Sequence, residues 1–256
     1  MQSRMLIPLV NIDLDFSLSS NAFSLRSNST VHQYQIKLDK FVIKLSRCRV
    51  NPSVAAKIEE RMTKSPCLYP LRLTKARIIT IPPGAKHYET ELFGPAATVI
   101  PPTLILGLTT TKASQGTQNL CALRFNHHDI LSLTLNVAGE SRPSPNGYQN
   151  LCWSGKNSNY LQCYYDLFDQ TVKINEGNSI NLSEYAENFC FFKINLGYLY
   201  NQAHDHIEHK KISTCRLILT FAPDSDNESL SLVVYSENDG MLAINNAREV
   251  IRDFIL

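Results

Sequence analysis

DILSLTLNVAG, residues 129–139, sets the reading of the whole chain. Leu131, Leu133, Leu135 and Val137 alternate with Ser132, Thr134 and Asn136. Successive side chains of a strand point to opposite faces, so this spacing describes a strand with one buried face. The same period recurs in NIDLDFSL (11–18), through Ile12, Leu14, Phe16 and Leu18, and in ESLSLVVYSE (228–237), through Leu230, Leu232 and Val234. QYQIKLDKFVIKLSRCRV (33–50), ARIITIP (76–82), TLILGLTT (103–110), FCFFKINL (189–196) and TCRLILTF (214–221) are richer in β-branched or apolar residues and read as further strands.

Between these runs lie IPPG (81–84), IPPT (100–103), GESRPSPNG (139–147) and APDSDNE (222–228), which are turn and loop chemistry. Helix signals are few. NPSVAAKIEERMTK (51–64) offers Asn51 as N-cap, Pro52 at the first helical position and Val54, Ala55, Ile58 and Met62 on one face. NLSEYAENF (181–189) pairs Asn181 with Glu184 in a capping-box pattern. The tail 245–256 fits helix and strand equally. About eight strands with no strand–helix–strand alternation predict an all-β fold: an eight-stranded antiparallel jelly-roll sandwich with one or two short helices in its connections. One such domain over residues 1–256, ending in a 245–256 tail, accommodates the chain length.

Composition narrows the function. The chain has 256 residues, 43% hydrophobic, with 25 basic against 23 acidic side chains. A net charge of +2 gives no electrostatic ground for specific nucleic-acid recognition or a basic membrane face. The basic residues between Lys37 and Arg77 are interrupted by acidic and apolar ones and read as a solvated surface. No apolar run reaches a membrane span, and MQSRMLIPLVNIDLDF (1–16) lacks the pattern of a secretory signal. The sequons at Asn28, Asn181 and Asn227 are therefore expected to be unused. Seven scattered cysteines with no CxxC read as reduced, buried thiols.

Candidate chemistry is sparse. NQAHDHIEHKK (201–211) holds His204, His206 and His209, and imidazole is a common zinc ligand. A cupin-like metal-dependent enzyme using these three histidines is the alternative function. A solvated loop is the reading adopted, because the segment is highly charged and no cysteine or HEXXH partner accompanies it. His127 and His128, adjacent before the 130–137 run, would point to opposite faces and suit a rim or capping role. Asp166, Asp169 and Glu176 could pair as acid and base, although nothing in their spacing selects this over loop carboxylates. There is no G-x-S-x-G and no Gly-rich phosphate loop. Tyr160, Tyr164, Tyr165 and Phe168, in SNYLQCYYDLF (158–168), are candidate interface residues, since tyrosine is enriched at subunit contacts. A lectin-like or cytokine-like ligand-binding jelly roll is a third class, disfavoured by the missing secretion signal and odd cysteine count.

A longer ordered series is informative. IDLDFSLSSNAFSL (12–25), YQIKLDKFVIKLSRCRVNPSVAAKIEE (34–60), YPLRLTKARIITIPPG (69–84), FNHHDILSLTLNVAGESRPS (125–144), YLQCYYDLF (160–168), NLSEYAENFCFFKINL (181–196), STCRLILTFA (213–222) and LSLVVYSEND (230–239) occur in this order. The series resembles the hexon-like double jelly-roll major capsid proteins of adintovirus, Polinton and adomavirus type elements. It covers roughly residues 5–254, and its specificity lies in order and spacing. The resemblance implies a non-enzymatic structural protein without cofactors or catalytic residues, residing in the virion and assembled inside the host cell. Three copies of such a protein form a capsomer, and capsomers tile an icosahedral shell. The match is to the C-terminal half of these proteins, which carry a further jelly roll ahead of it. A chain with one barrel implies a trimer or hexamer of itself, or a second capsid jelly-roll subunit as partner.

Overall fold

The computed structural model describes residues 5–28, 34–93, 99–155, 158–168, 180–196, 211–223 and 228–253. Its described strands are β1 (Cys67–Ile81), β2 (His87–Phe93), β3 (Val99–Ile100), β4 (Thr103–Thr110), β5 (Ile130–Val137), β6 (Glu140–Arg142), β7 (Phe191–Asn195), β8 (Lys211–Ile212), β9 (Cys215–Phe221), β10 (Leu230–Ile244) and β11 (Val250–Asp253). Helices are α1 (Asn21–Ser24), α2 (Pro52–Lys64), α3 (Thr111–Ser114), α4 (Leu161–Leu167) and α5 (Leu182–Asn188).

Every strand ladder is antiparallel. One sheet runs β1-β10-β4-β7, with β11 also on β10, and the other runs β2-β9-β5-β6. Setting aside the two-residue pair β3–β8 and the appended β11, eight strands remain. In chain order they form sheets 1-8-3-6 and 2-7-4-5. Every connection except the β5–β6 hairpin crosses from one sheet to the other, which is the winding of a jelly roll. The expected all-β, eight-stranded antiparallel sandwich is therefore the fold observed.

The core lies between the sheets and follows period two. Leu133, Leu135 and Val137 of β5 lie beside Leu217 and Leu219 of β9 in the same sheet, and a register shift between Ile130 and Ser132 buries Ile130 while the expected Leu131 stays half-buried. Leu104, Leu106 and Leu108 of β4 with Leu232 and Val234 of β10 close the core from the other sheet. Each such side chain contributes about 1.5–3 kcal/mol by leaving water. At one end of the β4–β10 ladder the hydroxyls of Thr111, Ser114, Ser229 and Ser231 are mutually hydrogen-bonded at 2.8–3.3 Å, so polar groups buried there are satisfied.

Two expected strands are absent from the ladders. Residues 11–18 and 34–50 run as irregular chain, and their apolar side chains are exposed. Their alternation is real, but a two-stranded ribbon with no core to cover is at best marginally stable in water. Two strands escaped the sequence reading. In HYETELF, β2, the polar His87, Glu89 and Glu91 occupy the outer face and only Leu92 is a fully buried aliphatic. β6 is only three residues long, and Pro143 and Pro145 follow it. Beyond them the chain returns to the β5 edge, where Tyr148 and Leu133 exchange both backbone hydrogen bonds. Gly147 permits that return. Its φ is +68°, and a Cβ there would lie 2.4 Å from Thr134 Oγ1.

The caps are as expected. Asn51 Oδ1 accepts from Ser53 N–H at 3.1 Å, and Asn181 and Glu184 form the reciprocal capping box of α5. The apolar face of α2 differs: Met62 is buried, whereas Val54 and Ile58 are exposed. Within the tail Val250–Asp253 form a strand, β11, which pairs Val250 with Ile244.

Candidate assembly surfaces

Two features are candidate assembly surfaces: an aromatic cluster under α4 and α5 that packs against the sandwich core, and the arm made by residues 5–28 and 34–50.

In the first, Trp153 stacks between His127 (4.7 Å, 3° between planes) and Tyr160 (5.3 Å, 14°) and donates its Nε1–H to Ile130 O at 2.8 Å. Tyr160 stacks on the buried Tyr185, and Tyr164 meets Tyr185 and Phe168 edge-on at 5.5 and 4.9 Å. Tyr164 donates its hydroxyl proton to Ile180 O, and Tyr185 donates to Phe191 O, both at 2.9 Å. The four candidate interface residues thus separate. Tyr160 and Tyr164 are half-buried within the cluster and Phe168 is half-buried at its margin, while Tyr165 is 65% exposed.

The same packing uses several polar candidates. Asp166 accepts from Tyr148 Oη and from Gln162 Nε2, each at 2.7 Å. His127 Nδ1 accepts from the Asp129 N–H at 3.0 Å. Burial of the imidazole lowers the His127 pKa, and the nearby Asp129 carboxylate opposes that shift. His128 and Asp129 both have positive φ, the turn geometry that delivers the chain into β5. Asp169, Glu176, His204, His206 and His209 lie outside the described residues. Among the described residues no cluster of three or more metal-ligating side chains occurs, and no helix is long and apolar enough to cross a membrane.

Cys163, Cys190 and Cys215 are buried, and all seven thiols are free. Burial pushes the first two well above the ordinary thiol range and Cys215 up to about 12, against the pull of Arg77. These are small core residues in thiol form, unsuited to nucleophilic work. Contrary to the expectation of seven buried thiols, Cys67, Cys121 and Cys152 are half-buried and Cys48 is exposed.

The arm is fastened at two places. At its start Tyr69 Oη accepts from Ile7 N–H and donates to Met5 O, both at 3.1 Å, and Arg248 Nε donates to Pro8 O at 3.0 Å. Arg248 also reaches Glu59 and the Met62 sulfur of α2. Further along, Ser27 N–H donates to Gln118 O at 2.8 Å, and a Cβ on Gly116 would lie 2.9 Å from the Phe23 nitrogen. Between these fastenings, and on the way back to α2, the arm leaves Ile12, Leu14, Phe16, Leu18, Phe41, Ile43 and Leu45 between 44% and 73% exposed. Neither the Arg248 anchor nor the Tyr69 anchor was marked by the sequence. Their partners on the arm are backbone carbonyls and an amide, which leave no side-chain pattern.

No family model matches the chain, and no curated protein matches it. Solved structures do. The mavirus major capsid protein aligns at TM-score 0.42 and 10% identity, over 75% of this chain and 42% of that one. A chain of the Sputnik virophage structure aligns at 0.44 and 12%, over 74% and 39%. PBCV-1 VP54, fitted into a reconstruction of Sputnik, aligns at 0.49 and 9%, over 81% and 55%. The chain spans between 39% and 55% of the length of these solved chains. At these scores and identities the likenesses assign no function, and the jelly-roll order rests on the chain's own strand pairing.

Proposed function

We propose that this chain is a capsid structural protein: a jelly-roll subunit that self-assembles, or pairs with a partner jelly roll, into capsomers of an icosahedral shell. One observation carries the reading. Six of the eight segments in the ordered sequence series that resembles hexon-like capsid proteins fall on elements of the jelly roll, while 12–25 and 34–60 cover the arm and α2, and β2 and β4 lie outside the series. Residues 69–84 supply most of β1, 125–144 supply β5 and β6, and 160–168 supply α4. Residues 181–196 supply α5 and β7, 213–222 supply β9, and 230–239 begin β10. The polar candidates that are described, His127 and Asp166, serve turns and packing, which supports a non-enzymatic role. Among the proposed interface residues Tyr165 is the one whose ring is mostly in solvent. The arm supports the same reading, because an exposed apolar stretch of that size calls for a partner.

Negative-stain imaging of the purified chain tests this reading. Closed particles or uniform capsomer-sized rings are the expected result, and a field of unassociated single barrels at every concentration would contradict self-assembly.

A further inference from the structure

Two contacts between the halves of the arm share one register. Asn21 Oδ1 accepts from the Ile36 N–H at 3.1 Å, and the rings of Phe16 and Phe41 lie 4.6 Å apart. In both pairs the residue numbers add to 57, as they do along an antiparallel ladder. Extending that register sets Leu14 opposite Ile43, Ile12 opposite Leu45 and Leu18 opposite Asp39, all on the face that carries Phe16 and Phe41. The other face then sets Asp13 opposite Lys44, Asp15 opposite Val42 and Ser17 opposite Lys40, and is polar at every position but Val42. The period-two pattern that no ladder among the described residues satisfies is therefore that of an amphipathic two-stranded ribbon.

We propose that segments 11–18 and 39–47 form this ribbon on association, and that its apolar face docks on the same face of a second copy of the chain. The proposal rests on the assembly reading above and names the surface that would serve it. Size supports it. Seven apolar side chains at 44–73% exposure present on the order of 800 Å², the per-partner area of a standard specific interface.

Charge selects a second copy as the occupant. The apolar face ends in Asp39 at one end and, one step past Leu45, in Arg47 at the other. Two copies related by a twofold axis would place Asp39 of each against Arg47 of the other, an isologous, self-complementary contact. The present partner of Asp39 is Lys37 at 3.9 Å, with both side chains 83% exposed, a pair too solvated to hold it.

The test is the oligomeric state of the full chain over a wide concentration range, with hydrogen exchange on the same samples. The expected result is a mass that rises with concentration, together with concentration-dependent protection of amides in 12–18 and 39–45. Phe16→Asp combined with Phe41→Asp should abolish both. The emission of Trp153, the chain's one tryptophan, should remain native and report an intact barrel. Asp39→Arg alone should weaken association at least tenfold, and adding Arg47→Asp should restore it. Association unchanged in the Phe16/Phe41 double variant would overturn the ribbon contact while leaving the assembly reading in place. A wild-type chain that stays monomeric would overturn both, whether its arm is unprotected or is protected at every dilution by its own barrel.

Discussion

Arg248 and Glu59, 189 residues apart, form an ion pair that joins the turn between β10 and β11 to helix α2. Only 14% of the Arg248 side chain is exposed, and its guanidinium also holds Pro8 O. One side chain thus fastens both ends of the chain and the only long helix among the described residues to the corner of the jelly roll. Arg248→Ala should cost about 1–3 kcal/mol, since the lost bonds are charge-assisted. Hydrogen exchange should accelerate in α2 and around residues 5–8 and stay unchanged in β4, β5 and β9.

Gly147 should tolerate no side chain. Gly147→Ala would meet Thr134 Oγ1 and Leu133 O at 2.4 and 2.6 Å and would hold a non-glycine residue at φ +68°. Strain and overpacking together should destabilise by roughly 2–4 kcal/mol in a urea titration.

The two neighbouring tyrosines of α4 should respond oppositely. Tyr164→Ala should cost about 3 kcal/mol of stability by emptying the contact with Tyr185 and Phe168. Tyr165→Ala should leave the melting temperature within about a degree or two of the wild type, as expected for an exposed side chain. If Tyr165 lies at a contact between subunits, as proposed, its loss should weaken association on sedimentation.

His127 sets the sign of one pH effect. Its pKa is lowered in the folded chain, chiefly by burial, so the unfolded chain binds the proton more readily. Stability contributed by the neutral imidazole is fully present above the ordinary histidine pKa of ~6.5 and is lost as pH falls through that value towards the lowered one. The thermal midpoint should decline over that interval. His127→Phe keeps a ring against Trp153 and should flatten the decline.

Thiol labelling should follow burial. Iodoacetamide should modify Cys48 rapidly in the folded chain, while Cys163, Cys190 and Cys215 react only on unfolding. Mass spectrometry of the labelled peptides gives the order directly.

Much of the sandwich was legible because its strands are half-buried, and half-burial writes period two into the sequence. Leu133, Leu135, Leu217, Leu219, Leu232 and Val234 are apolar and buried in step. The caps of α2 and α5 were legible because capping is local chemistry between residues two or three apart. β2 and β6 were less so, being edge strands with charged or very short sequences. The arm misled for a physical reason: alternation records a buried face, whereas among the described residues nothing buries it. For the candidate interface the sequence named 158–168 but could not separate Tyr164 from Tyr165. Adjacent residues on a seven-residue helix point about 100° apart, and only the position of α5 decides which one is covered.

The most direct test of the central claim is the native mass of the purified chain by light scattering, read from dilute to concentrated solution. A trimer, hexamer or larger closed assembly is the result expected of a jelly-roll capsid subunit. A single 28.9 kDa species across the whole range would contradict it.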